Sequence, residues 1–232
     1  GTGIYYYSNG DRYEGDFVLD CKEGNGVYYY HDGEKYEGQF HLDKKHGKGV
    51  YNYKDGDKYE GDFVMGLADG NGTYTYNDGS KYIGEYCKDK KEGHGIFYDK
   101  KGDRYEGQFR AGKRDGNGKI FYKNGSVFEG NFRDGMKEGK GIYNYKNGNV
   151  YEGGHKNGKK EGHGVFKYTN GEEYDGDFKK GVREGKGILK YSNGDRYEGD
   201  FINNIEYGQG IKYFSNGDKY IGQFTNGQIN GK

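Results

Sequence analysis

The chain has 232 residues, among them 48 Gly, 28 Tyr, 13 Phe and neither Trp nor Pro, and its 37 Lys and Arg balance 37 Asp and Glu. A chain of zero net charge is poorly suited to hold nucleic acid, its two cysteines are too few for a disulfide framework, and no apolar run is long enough to span a bilayer. A mean hydropathy of −1.28 argues against a packed core, but aromatic residues at 18% argue for one, since each buried ring removes a large area from water.

In chain order the first recurring element is Tyr-x-Gly, met at Tyr13, Tyr36, Tyr59, Tyr82, Tyr105, Phe128, Tyr151, Tyr174, Tyr197 and Tyr220, always at an interval of 23 residues. A fixed period of this length means a repeat array, and its alternation makes each start a strand: Tyr36, Gly38 and Phe40 share one face, Glu37 and Gln39 the other. A loop of about six residues is expected next, then a second strand in which Gly47, Gly49, Tyr51 and Tyr53 share a face. Asn-Gly or Asp-Gly, as at Asp55-Gly56, then predicts a type I′ turn into the next repeat. Glycine within a strand needs a reason, and an aromatic ring lying over the missing side chain supplies one. The fold class read from this is all-β: an elongated single-layer array of consecutive antiparallel β-hairpins, one domain over 1–232 with nine to ten repeats, roughly 90 to 100 Å long. The chain opens on Gly1 in mid-repeat, so it reads as a soluble intracellular piece of a longer array.

The string Tyr-x-Gly-x-Phe, Gly-x-Gly-x-Tyr-x-Tyr, Asn/Asp-Gly resembles the MORN (membrane occupation and recognition nexus) repeat over essentially the whole chain. Members often carry Trp where this chain has Phe17, Phe40, Phe63, Phe109, Phe132, Phe178, Phe201 and Phe224, with Tyr86 and His155 as departures; at His155 a locally weaker core is expected. A chain built only of such repeats, rich in Lys, Asn and Tyr, is similar to the MORN-repeat scaffolds of the apicomplexan budding and basal-complex apparatus. That resemblance implies a cytoplasmic, cytoskeleton-associated scaffold at the cell cortex that takes part in cell division.

Nothing in the sequence reads as an enzyme. The Gly-x-Gly copies do not open a helix after a strand, the serines sit at turns, and carboxylates repeated in nearly every unit are a solvated face rather than a catalytic pair. Candidate sites are therefore surfaces. Basic residues between strands, Lys88, Lys90, Lys91, Arg110, Lys113, Arg114, Lys156, Lys159, Lys160, Lys179, Lys180 and Arg183, could meet an acidic protein or, as the alternative function, phosphoinositide and other anionic membrane lipid. Val64, Met65 and Leu67 put apolar side chains where other repeats have charged ones. At the other end Ile202, Ile205 and Tyr207, with Tyr220, Phe224 and Ile229, suggest a C-terminal homodimer interface. Cys21, His41 and His46, and Cys87 with His94, are zinc-ligating types that could hold a metal between molecules, no cofactor being required. The function expected is a non-catalytic, self-associating scaffold that recruits cytoskeletal or cortical proteins.

Overall fold

A computed structural model describes residues 1–231, and within them the chain forms twenty-one strands and no helix. It divides into two compact units, Gly1–Arg114 and Asp115–Lys232. In each unit consecutive strands pair antiparallel, a strand of 7 residues such as Lys35–His41 followed by one of 9 such as Lys44–Asn52. The register repeats with the sequence: Tyr36 faces Tyr51 and Gly38 faces Gly49 in the first unit, and Tyr174 faces Leu189 and Gly176 faces Gly187 in the second. The all-β, single-layer hairpin array expected from the period is thus what each unit builds.

The turns are the reverse of the expectation. At Asp55-Gly56 only Gly56 has a positive φ, of 95°, the Gly56 amide donates to the Tyr53 carbonyl at 3.1 Å, and the Tyr53 amide donates to the Asp57 carbonyl at 2.9 Å. That is a type I turn closed by a left-handed glycine, the other common hairpin solution for this dipeptide. The tight two-residue turn, with both residues at positive φ, lies instead where a six-residue loop was expected, at Leu42 (φ 45°) and Asp43 (φ 65°). Asp43 tolerates this backbone because it is stapled to the preceding repeat: its amide donates to the Lys22 carbonyl at 3.1 Å and its Oδ1 accepts from the Lys22 amide at 2.9 Å.

The paired glycines have different tasks. Gly47 (φ 61°) makes a bulge, since the register shifts between Gly38 and Gln39, and the Gln39 side chain accepts from the Lys48 amide at 3.0 Å. Gly49 lies under a ring: a Cβ there would stand 2.5 Å from Cε2 and 2.6 Å from Cζ of Tyr36. The Tyr36 hydroxyl donates to the Gln39 carbonyl at 2.8 Å, within the bulge, so the one polar atom of a fully buried ring is satisfied. The same bond recurs from Tyr13, Tyr59, Tyr82, Tyr105, Tyr151, Tyr174 and Tyr197.

Candidate functional site

Within each unit the sheet has an aromatic face and an open face, and both are built by the repeat. On the aromatic face Tyr36 meets Phe40 and Phe63 edge-on, ring centroids 5.1 Å apart in each pair. A second row of rings runs alongside, Tyr30 to Tyr51 at 5.7 Å and Tyr51 to Tyr53 at 4.5 Å, its hydroxyls anchored on carboxylates: Tyr28 donates to Asp11 at 2.8 Å and Tyr74 to Asp57 at 2.7 Å. Between the rows stands a cation. Lys45 is the cross-strand neighbour of Phe40, and its ammonium lies 4.2 Å from the Tyr51 ring centre and 5.5 Å from that of Phe63.

The same position is Lys22, Lys91, Arg114, Lys137, Lys160 and Arg183 in other repeats, each over one or more rings. A desolvated cation over a ring is worth about 2 kcal/mol, which offsets the burial that pushes the Lys91 and Lys160 ammonium groups down to about 8. Glu206 takes this position near the C-terminus, accepts a hydrogen bond from the Tyr191 hydroxyl, and has its carboxyl raised by burial. There the ammonium comes from Lys212, 4.9 Å from the Tyr191 ring centre. In the third repeat the position is Ala68.

The open face carries a row across strands in which acidic side chains are separated by uncharged ones: Glu37, Val50, Glu60 and Thr73 in the first unit, with Ile83 in place of the next acid, and Glu129, Ile142, Glu152, Val165 and Asp175 in the second. Glu37 and Glu60 are held by Lys35 at 2.8 Å and Lys58 at 3.1 Å, each two residues earlier on its own strand. Over the glycine track beside this row lies a shallow trough, about 640 Å³ in the first unit and about 650 Å³ in the second, at equivalent positions of the repeat. Its floor is glycine, such as Gly49 and Gly61 or Gly141 and Gly153, and Val50 and Ile83 or Ile142 and Val165 stand along one wall. Val50, Ile142 and Val165 were visible in the sequence as the residue after a Gly-x-Gly, and Ile83 as the middle residue of a Tyr-x-Gly, but only the register shows that they line up.

Of the basic residues singled out in the sequence, Lys88, Lys90, Arg110, Lys113, Lys156, Lys159, Lys179 and Lys180 are exposed beside the tight turns. Lys91, Arg114, Lys160 and Arg183 stand instead on the aromatic face among the rings. Ile202 and Ile205 are cross-strand neighbours flanking a turn, each 45% exposed, and Tyr207 is 46% exposed. Ile229 is exposed and Tyr220 half-buried, whereas Phe224 is buried against Tyr197 at 4.7 Å.

His41 and His46 lie with rings 5.5 Å apart, and His41 Nδ1 is 2.8 Å from a carboxylate oxygen of Glu23. The Cys21 thiol is raised by burial and by Asp43. Cys87 and His94 are exposed. Among the described residues no three His, Cys, Asp or Glu side chains converge on a point a metal ion could occupy, and no helix is long and apolar enough to cross a membrane.

A family model described as MORN repeat matches residues 1–12, 13–35, 36–58, 59–81, 82–104, 105–127, 128–150, 151–173, 174–196, 197–219 and 220–232. A comparison with curated proteins finds no match. Among solved structures, the wild-type TCP10 domain of Danio rerio CPAP is similar over 96% of this chain and 100% of that one, at 10% identity and a TM-score of 0.50. The same domain in complex with a peptide of Danio rerio STIL is matched over 97% of this chain and 95% of that one, at 12% identity and a TM-score of 0.48. At 10% identity the likeness to the first of these is one of fold.

Proposed function

The chain belongs to the MORN repeat family, and from that premise we propose that it is a non-catalytic scaffold that associates with itself and holds other proteins against the open face of its sheet. The observation that carries this reading is the trough, which occurs in both units at the same place in the repeat with the same kind of lining. A glycine floor lets another backbone approach closely, and aliphatic side chains between paired carboxylates offer apolar contact at intervals set by the strands. An extended segment of a partner protein fits such a surface better than a small molecule, which is held in a concave site that buries most of its area.

Self-association is assigned to the exposed Ile202, Ile205 and Tyr207, because a cluster of this kind is self-complementary about a two-fold axis. The place of action proposed is the cytoskeleton at the cell cortex, during division. Anionic lipid has weaker support, since four of the twelve basic residues proposed for it, Lys91, Arg114, Lys160 and Arg183, are held among aromatic rings.

The test is to charge the trough without touching the core. Val50→Lys with Ile83→Lys in the first unit and Ile142→Lys with Val165→Lys in the second place cations beside the carboxylates of the row and should leave the circular dichroism spectrum and melting temperature nearly unchanged. Proteins retained by the unaltered chain from its own cells should be lost. Retention of the same proteins by the charged variant contradicts the assignment to this face.

A further inference from the structure

The carboxylates of the open-face row are matched from within the chain in repeat after repeat. Glu14, Glu37, Glu60, Glu106 and Glu198 each meet the Lys or Arg two residues earlier on the same strand, at 2.8 to 3.1 Å. Glu129 is held by its cross-strand neighbour Lys119 at 2.7 Å, and Asp175 lies 3.0 Å from His163. Lysines on the other side of the glycine track are matched in the same way: Lys48 by its cross-strand neighbour Asp62 at 2.6 Å, and Lys186 by Asp200 at 2.7 Å.

One place in the second unit breaks both patterns at once. Val150 stands where those five acids have their Lys or Arg, so Glu152 is left without a cation, between Ile142 on one neighbouring strand and Val165 on the other. Gly154 stands where Asp62 and Asp200 hold a lysine, so its cross-strand neighbour Lys140 is left without an acid. Among the described residues neither side chain has an ion-pair or hydrogen-bond partner, and both are exposed. The backbone fixes the second loss, because a Cβ at Gly154 would stand 2.2 Å from the Glu161 carbonyl oxygen.

Both unmatched charges line one cavity. The trough of about 650 Å³ in the second unit is bounded by Lys140 and Glu152 as well as by Ile142 and Val165, over its floor of glycine. Lys140 opposes Gly154 and Ile142 opposes Glu152, so the cation and the anion are diagonal neighbours across the strand pair, about 7 to 8 Å apart. Residues two apart on one face of an extended strand are separated by about 7 Å. An extended segment therefore offers an acid and a base at the spacing the trough presents. In the first-unit trough Glu37, Glu60 and Lys48 are already neutralised, which leaves mainly apolar contact there.

We propose that the second-unit trough receives an extended segment of a partner protein in which an acidic residue, facing Lys140, and a basic residue, facing Glu152, lie two positions apart. Such docking rests on the open face holding an extended segment, as proposed above, and specifies what that segment carries. Ile142 and Val165 flank Glu152, so they meet the aliphatic stem of the basic residue and the residues beside it. A free zwitterion would answer both charges but leave these side chains uncovered.

The test titrates the full chain with four probes at constant ionic strength: the peptide Ac-Val-Thr-Asp-Thr-Lys-Thr-Val-amide, the same peptide with Asn and Gln for Asp and Lys, the same peptide with Lys at both positions, and 6-aminohexanoate. Binding is read from the amide resonances of Gly153 and Gly164 in the second unit and of Gly61 and Gly72 in the first. The Asp/Lys peptide should give saturable shifts at Gly153 and Gly164 at concentrations that leave Gly61 and Gly72 unmoved. It should bind roughly fivefold more tightly than the Asn/Gln peptide, a ratio within the reach of two exposed ion pairs. Lys140→Glu should reverse the preference, so that the peptide with two lysines binds the variant more tightly than the Asp/Lys peptide does. Equal binding of the Asn/Gln peptide at Gly153 and Gly164 would overturn selection by charge and leave the open face standing as a docking surface. No saturable shift from any peptide would overturn that reading of the face as well. Equal affinity for 6-aminohexanoate would overturn the protein segment, and equal shifts in the first unit, or an unchanged preference in Lys140→Glu, would overturn the site.

Discussion

His155 occupies a position that is Phe in most repeats, and it is seated as a ring of the ladder. It meets Phe128 and Tyr151 edge-on at 5.0 Å and 5.3 Å and is 6% exposed. The sequence marks it as an interruption with a weaker core; imidazole is flat and close enough in size to take the same slot, provided it stays neutral, but its Nδ1 is buried without a hydrogen-bond partner, a local cost in keeping with that expectation. Burial, then Lys137 and Lys160, lowers it to about 4 from an ordinary 6.5. Because the folded value is the lower one, the unfolded chain binds the extra proton: the contribution to stability is complete above about 6.5 and is lost as pH falls through about 4. A loss on the order of 2 kcal/mol is expected over that window. Urea unfolding at pH 7.5 and pH 4.5 should show a larger fall for the unaltered chain than for His155→Phe, and an equal fall in both would contradict a neutral buried imidazole.

At the scale of the strand pair, the ring over the glycine is the element that the rest depends on. Gly49→Ala would drive a methyl group into Tyr36 with backbone on the other side, since a Cβ at Gly38 would itself stand 2.5 Å from the Gly49 Cα. The expected cost is about 3 kcal/mol, near the top of the range for overpacking, read as a lowered denaturation midpoint; Gly3→Ala, whose backbone is not left-handed and whose added Cβ would make only ordinary contact with the Phe17 ring at 3.5 Å, should cost less. Equal losses would remove the special role of the covered glycine.

This much was legible in the sequence: period, strand faces and the aromatic cover all follow from where Tyr36, Gly38, Gly49 and Tyr51 stand. The cation ladder was not. Lys22, Lys45, Lys91, Lys137 and Lys160 recur at the repeat's own spacing, but a six-residue loop placed them off the sheet. A left-handed Leu42-Asp43 turn lets the strands run on to the turn, so that Lys45 falls opposite Phe40 and on its face. Leucine gives no warning of positive φ, and Asp55-Gly56 serves a type I turn with a following glycine as readily as a type I′ turn.

For the whole molecule, the proposed function rests on association rather than chemistry. Part of the charge is held in repeating structural roles, acids such as Asp11 and Asp57 anchoring tyrosine hydroxyls and cations such as Lys45 and Lys160 lying between rings, while cations such as Lys88 and Lys159 stand exposed beside the turns. Exposed apolar side chains occur along the chain, from Tyr6 and Leu19 in the first unit to the cluster of Ile202, Ile205 and Tyr207 in the second, and it is that cluster to which self-association is assigned. Phe224, offered by the sequence as part of the same surface, is packed inside and serves the core beneath it. The direct measurement is molar mass by light scattering over a concentration series up to high micromolar, for the unaltered chain and for Ile205→Asp. Twice the chain mass for the unaltered protein, falling to a single chain in the variant with the same melting temperature, is the predicted result; a single chain at every concentration in both would contradict self-association.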